Sequence, residues 1–243
     1  MDKLPLLRGV PENRVRAFLE KAGGNEIASG KFASPQSSAA LAVNGFGWFV
    51  DRPADLPSFP GLKDCEWPAI CVDVERQMHF PWRGGHHPWL DAAVETANCL
   101  IGVESKRYEP FRDRKEAKLS DAYDRDVWGD GMEQWCAMRD LLRAEPRRYR
   151  YLDAAQLVKH AFGISTQARK CGKEPVLFYL FAEPPDATSV DVFAAHREEI
   201  ADLADRVRGG RVRFASCSWV EWLNGFSGNS AAHGERVRQA FRL

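Results

Sequence analysis

A chain of 243 residues with 44% hydrophobic content is long enough to bury the core of one sizeable α/β domain. Its 34 basic and 34 acidic residues cancel, which excludes a global field able to hold nucleic acid or a membrane surface, so a polyanion must be met by a local cluster of cations. Six scattered cysteines, with no C-x-x-C pair and no histidine at zinc-ligand spacing, read as thiols of a reducing compartment, and no stretch approaches the ~18 apolar residues of a membrane span; a soluble, cytoplasmic protein is expected.

Along the chain, "VPENRVRAFLEKAGG" opens on Pro11 and carries Val15, Phe18 and Leu19 at helical spacing, so a short amphipathic helix is expected, followed by a polar linker through Pro35. "SSAALAVNGFGWFV" is a buried helix capped by Ser37 or Ser38 and running at least to Asn44, and the proline-rich "DRPADLPSFPGLKD" is a loop. The period then changes. "AICVDVERQMHF" and "WLDAAVETANCLIGVESKRY", separated by "PWRGGHHP" and by a polar step near Asn98, predict a meander of three strands. The charged segment after Pro110 reads as two helices broken near Gly129 and Gly131, and "YLDAAQLVKHAFGIS" is another helix. "PVLFYLFAE" is a strand buried on both faces, "SVDVFAAHREEIADLADRVRGG" a helix capped by Thr188 and stopped by Gly209, and "RVRFASCSW" a further strand. Strand, helix, strand adds a parallel crossover to the meander, giving a mixed sheet of about five strands with helices on both faces. Residues 1–36 are expected as an N-terminal helix and linker, and 37–243 as one domain.

One stretch asks for a chemical explanation: the apolar strand "CLIGVESKRYEP" ends in Glu104-Ser105-Lys106. Side chains two apart on a strand share a face, so Glu104 and Lys106 project together, and a hairpin through Asn98 brings Asp91 to the same end of the sheet. Two carboxylates ~4 Å apart repel by roughly 4 kcal/mol at an effective dielectric of ~20, and so call for a proton or a cation between them. Mg²⁺ suits two monodentate carboxylates plus the backbone carbonyl of Ser105, it acidifies bound water and offsets charge on a phosphate, and Lys106 can orient or help deprotonate the nucleophile. Phosphodiester hydrolysis fits this set best.

Asp91, a gap of twelve residues, then Glu104-Ser105-Lys106 resembles the signature of the PD-(D/E)xK nuclease superfamily, with its restriction-endonuclease-like fold. The Ala/Ser-rich "SSAALAVNGFG", the glutamate-bearing "VDVERQMHFPW", the strand "GVESKRYEP" and the helix "YLDAAQLVKHAFGI" are similar, in that order, to a bacterial family described as restriction endonucleases, over about Ser37 to Trp219. The resemblance implies that Asp91 and Glu104 are metal ligands, Lys106 the catalytic lysine and Glu75 a further acid. It also implies DNA as partner, in restriction, defence or repair. Leu90 stands where the family's proline precedes the aspartate, with Pro88 three positions upstream of Asp91.

Acid-x-Lys alone is weak, since Asp113-Arg114-Lys115 and Glu116-Ala117-Lys118 match it too, but only Glu104-Ser105-Lys106 ends an apolar strand with a second acid one strand back. The bland alternative is a surface ion pair of little energetic worth. For Glu75, sharing a strand face with Asp73 and Gln77, a solvent-facing position is as good a reading as a ligand. Substrate contacts are expected from Arg107, Arg112, Arg114, Lys115 and Lys118 beside the site, with Arg147, Arg148 and Arg150 as a second group, and His87 at a hairpin tip next to Asp91. His160, on an apolar helix face, reads as a satisfied inner histidine. Two other functions compete: a non-catalytic binding or assembly module on the nuclease fold, and a carboxylate-pair glycoside hydrolase, against which Lys106 argues. Left open are Mn²⁺ in place of Mg²⁺, DNA against RNA, a homodimer and a cognate methyltransferase.

Overall fold

The computed structural model describes residues 5–22, 32, 34, 36–112, 116–184 and 190–243. Five strands form one sheet in the order β1 (Cys71–Gln77), β2 (Trp89–Glu95), β3 (Cys99–Lys106), β4 (Glu174–Phe181) and β5 (Arg213–Ser218). The first three run antiparallel to one another, and β4 and β5 continue parallel to β3. This is the meander with an added parallel crossover that the change of period predicts, an α/β fold consistent with restriction-endonuclease-like proteins.

Alternation along the strands divides the core into two layers. Val72, Val74, Ala92, Val94, Ile101 and Val103 face one way, against Leu41 and Phe46 of helix α2 (Ser38–Gly47) and Trp219 and Trp222 of the short helix α7 (Trp219–Leu223). Ser37 caps α2 by accepting from the Ala40 N–H. Gly45 on α2 is where a Cβ would lie 2.4 Å from the Trp219 ring, so the absence of a side chain there is what lets the indole close on the helix. The N-terminal helix α1 (Glu12–Ala22) adds Val15 and Leu19 to this layer, and Leu7 N–H donates to Asn44 Oδ1 at 2.7 Å, so these residues pack on the same core. The last helix, α8 (Ala231–Phe241), completes it with Val237 and Phe241.

On the opposite face Leu90, Ala93, Leu177 and Tyr179 meet Leu157, Phe162 and Ile164 of the long helix α5 (Ala154–Cys171), Trp135 and Met138 of α4 (Glu133–Ala144), and Ile200 and Leu203 of α6 (Asp191–Arg206). Asp153 caps α5 through the Gln156 N–H, and Gly172 ends it in the left-handed region at φ 65°. The proposed cap of α6, Thr188, lies outside the described residues.

The segment after Pro110 departs from expectation. Among the described residues, of the two helices read there α4 forms, preceded by the short helix α3 (Glu109–Arg112) and a 3-10 turn over Asp121–Asp124. The polar run gains more from outside partners than from helix bonds: Arg139 donates to the Tyr123 carbonyl and Arg143 to those of Leu119 and Ser120. The tail after Trp219, for which no element was expected, forms α7 and α8.

Candidate active site

The hairpin of β2 and β3 pairs Ala93 with Gly102 and Ala92 with Val103, so Asp91 and Glu104 follow one step beyond the last pair, on neighbouring strands at the same end of the hairpin. On the outer side β1 pairs Val74 with Ala92 and Arg76 with Leu90, which sets Glu75 across from Asp91. On the inner side Glu104 is in register with Tyr179 of β4. Three acids thus form one row across three adjacent strands. Glu75 holds φ at 50°, left-handed backbone that a glutamate adopts only at a cost, and such conformations concentrate where the surroundings fix a side chain for a task.

Glu104 is 2% exposed, and both its oxygens have cationic or potentially cationic neighbours. Lys106 Nζ lies 2.5 Å from Oε1, and His160 Nε2, reaching down from α5, lies 2.8 Å from Oε2. Burial pushes the Glu104 carboxyl up, but Lys106 and His160 outweigh it and bring its pKa down to about 2. Asp91 is half-buried and fares otherwise. Its Oδ2 accepts the Ser105 N–H at 2.6 Å, yet burial and then the negative charge of Glu104 hold its carboxyl well above the usual range, against the pull of Lys106. Burial also works against the Lys106 ammonium, but Glu104 and Asp91 together keep its pKa above that of an ordinary lysine. The cluster therefore has one firmly ionised carboxylate, one cation and one carboxyl whose charge lacks compensation.

Among the described residues no three His, Cys, Asp or Glu side chains converge closely enough for an all-protein metal cage. Two carboxylates with water completing the shell is nevertheless the usual holding of Mg²⁺, and each oxygen of Glu104 keeps a lone pair beyond the one directed at its present neighbour. The under-compensated charge on Asp91 is the local feature that a divalent cation would satisfy, so the donor set fits a hard, oxygen-seeking ion.

Other residues singled out from sequence fall in different places. Ser105 presents its side chain to the opposite layer, where Oγ accepts Trp219 Nε1–H at 3.1 Å. Arg107 does not face substrate: it is 4% exposed, its guanidinium donates to the Phe241 carbonyl and lies over the Phe241 ring, and its N–H donates to Glu109 Oε2. Strand alternation already turns it away from Lys106. Arg112 is exposed at the end of α3, whereas Arg114 and Lys115 lie outside the described residues. His87 is half-buried, and its Nδ1 accepts the Phe80 N–H at 3.1 Å, fastening the loop between β1 and β2 whose turn is made by Gly84 and Gly85.

Sequence reasoning missed His160 as a partner of Glu104 and Tyr179 as a wall of the site. The face shared by Leu157, His160 and Ile164 shows that His160 points inward but not which strand it meets. Tyr179 hides in a strand apolar on both faces; its hydroxyl and His196 Nε2 are 3.0 Å apart. Lys106, Glu109, Tyr151 and Tyr179 line a cavity of about 20 Å³, room for about one water.

A family model described as restriction endonuclease associating with ARP matches residues 5–228, which takes in the N-terminal helix as well as the stretch of motifs. No curated protein and no solved structure matches the chain. With a nuclease-like function and nucleic acid as the class of partner that such a match carries, the chain belongs to the restriction-endonuclease-like family of restriction endonucleases associating with ARP.

Proposed function

We propose that the protein is a Mg²⁺-dependent endonuclease that hydrolyses phosphodiester bonds of DNA, working in restriction or defence within the cytoplasm. The observation that carries this reading is the buried Glu104–Lys106 pair at 2.5 Å beside Asp91, whose charge is left under-compensated. Asp91 and Glu104 would hold the ion, and Glu75, across the strand from Asp91, is the further acid of the row. When bound, the ion makes water more acidic and offsets charge developing on the phosphate.

The chain's own residues supply the rest. Lys106, kept as an ammonium by two carboxylates, has no free lone pair for taking a proton; it donates hydrogen bonds and so orients the attacking water or a phosphate oxygen. His160 holds Glu104 from above and keeps its second oxygen in place, a positioning role. The Ser105 N–H does the same for Asp91. A carboxylate-pair glycoside hydrolase would also use one raised and one lowered carboxyl, as Asp91 and Glu104 are, but it needs no metal ion, so the EDTA control separates the two readings.

The test is incubation of the purified protein with plasmid DNA and Mg²⁺, beside an EDTA control and the variants Asp91→Ala, Glu104→Ala and Lys106→Ala. Cleavage should need the metal and be lost in all three. Metal-dependent cleavage that persists in Glu104→Ala and Lys106→Ala would reject the site; failure of Mg²⁺ to bind in calorimetric titration would favour the non-catalytic binding module instead.

A further inference from the structure

Beside the cavity at Lys106 lies an open cleft of about 900 Å³, and Arg150 and Asp153 line both. Its cations are Lys118, Arg147, Arg150 and Lys159; its acids are Glu116 and Asp153. Both acids are engaged, Glu116 by Arg147 at 2.5 Å and Asp153 as the cap of α5. Lys118, Arg150 and Lys159 make no ion pair with any described residue, so the cleft carries uncompensated positive charge in a chain whose net charge is zero. At the junction of cavity and cleft the exposed Arg150 guanidinium lies over the Tyr151 ring at 5.1 Å, and Phe111 supports that ring from 6.0 Å at a tilt of 41°.

We propose that this cleft binds a single-stranded segment of nucleic acid and leads it to Lys106, with phosphates along Lys118, Arg150 and Lys159 and a base stacked on the outer face of the Arg150 guanidinium. Cations tracking the backbone next to a stacking plane are the combination that holds single strands regardless of sequence. Access points the same way. The Lys106 side chain is 16% exposed and lines a cavity with room for about one water, shared with Arg150 and Tyr151, so a single strand that bends past Arg150 reaches it more readily than a rigid duplex. The proposal rests on the hydrolytic reading of Lys106 for its direction, but its binding residues stand apart from that cluster.

Fluorescence anisotropy of the full chain with labelled oligonucleotides, in EDTA, tests it without calling on catalysis, so a protein that binds yet never cleaves would sink the hydrolytic reading alone. Single strands should bind about tenfold more tightly than blunt duplexes, the share of roughly one stacked base. The Arg150→Glu/Lys159→Glu double variant should weaken single-strand binding and reduce the slope of log affinity against log salt by about 1.4. Arg150→Lys keeps the charge and removes the plane; it should leave that slope unchanged and shrink the preference for single strands. Duplexes bound as tightly as single strands, or charge reversals that change neither affinity nor slope, would overturn the proposal.

Discussion

Asp91→Asn should make the metal-free protein more stable at neutral pH, although it removes a group proposed to be essential. Asp91 is the carboxyl in the row whose ionised form the fold disfavours, through burial and through Glu104 across the strand. Two carboxylates ~5 Å apart at an effective dielectric of ~20 repel by about 3 kcal/mol, of which attraction to Lys106 cancels roughly half. The Ser105 N–H keeps an acceptor in the amide oxygen at a loss of well under 1 kcal/mol. The net gain is about 1–2 kcal/mol, or about 2–8 °C in Tm for a chain of this size. A folded-state pKa raised above the unfolded value means that the folded wild type holds the extra proton, so wild-type stability falls as pH rises from about 4 through the folded pKa. The advantage of Asn should therefore appear at pH 7 and vanish as pH approaches 4. Urea unfolding in EDTA at several pH values measures it. Mg²⁺ at ~100 times its Kd should add about 2.7 kcal/mol to the wild type and almost nothing to the variant. An Asn protein less stable at pH 7, or an advantage that ignores pH, refutes the electrostatic account of Asp91.

Gly102→Ala should destabilise by about 2–4 kcal/mol in the same unfolding assay, because a Cβ there would lie 2.4 Å from Leu90 Cδ1 and 2.6 Å from Ile164 Cδ1 and push α5, with His160, off the sheet. Arg107→Met should cost about 2–4 kcal/mol and speed hydrogen exchange in α8 through loss of the bond to the Phe241 carbonyl, while the salt dependence of nucleic-acid binding stays as in the wild type; a flatter salt slope would return Arg107 to the substrate surface. Of the cysteines, exposed Cys171 should react first with a thiol reagent in the folded protein, since burial raises the Cys65 thiol to about 12 and holds those of Cys71, Cys136 and Cys217 above the usual range; modification mapped by mass spectrometry to Cys65 or Cys217 ahead of Cys171 contradicts the burial found here.

The sheet and its row of charges were legible because strand alternation is local: knowing that Asp91 and Glu104 flank one hairpin is enough to set them side by side. The same rule, applied one residue further, turns Arg107 to the other layer, and there the run of nearby cations misled. His160 needed more than a pattern, since helical spacing fixes which face is inward but the rotation of α5 over β3 is decided by packing at Leu157, Phe162 and Ile164. Residues 116–132 misled because helix propensity is a weak prior beside the carbonyl bonds that Arg139 and Arg143 offer. The left-handed backbone of Glu75 breaks the alternation that reading a strand assumes, so its solvent-facing appearance in sequence carried no information about its place in the row.

Ser105 and Arg107, the two neighbours of Lys106, are each gripped from the far end of the polypeptide, by Trp219 across 114 positions and by Phe241 across 134. A ribosome-bound fragment that stops short of those helices would already carry every acid of the row, yet would lack the clamps that hold the ammonium between them. On the proposed nuclease reading, a product terminated before those anchors carries the acids without the seat for Lys106, so activity would wait until both helices are made.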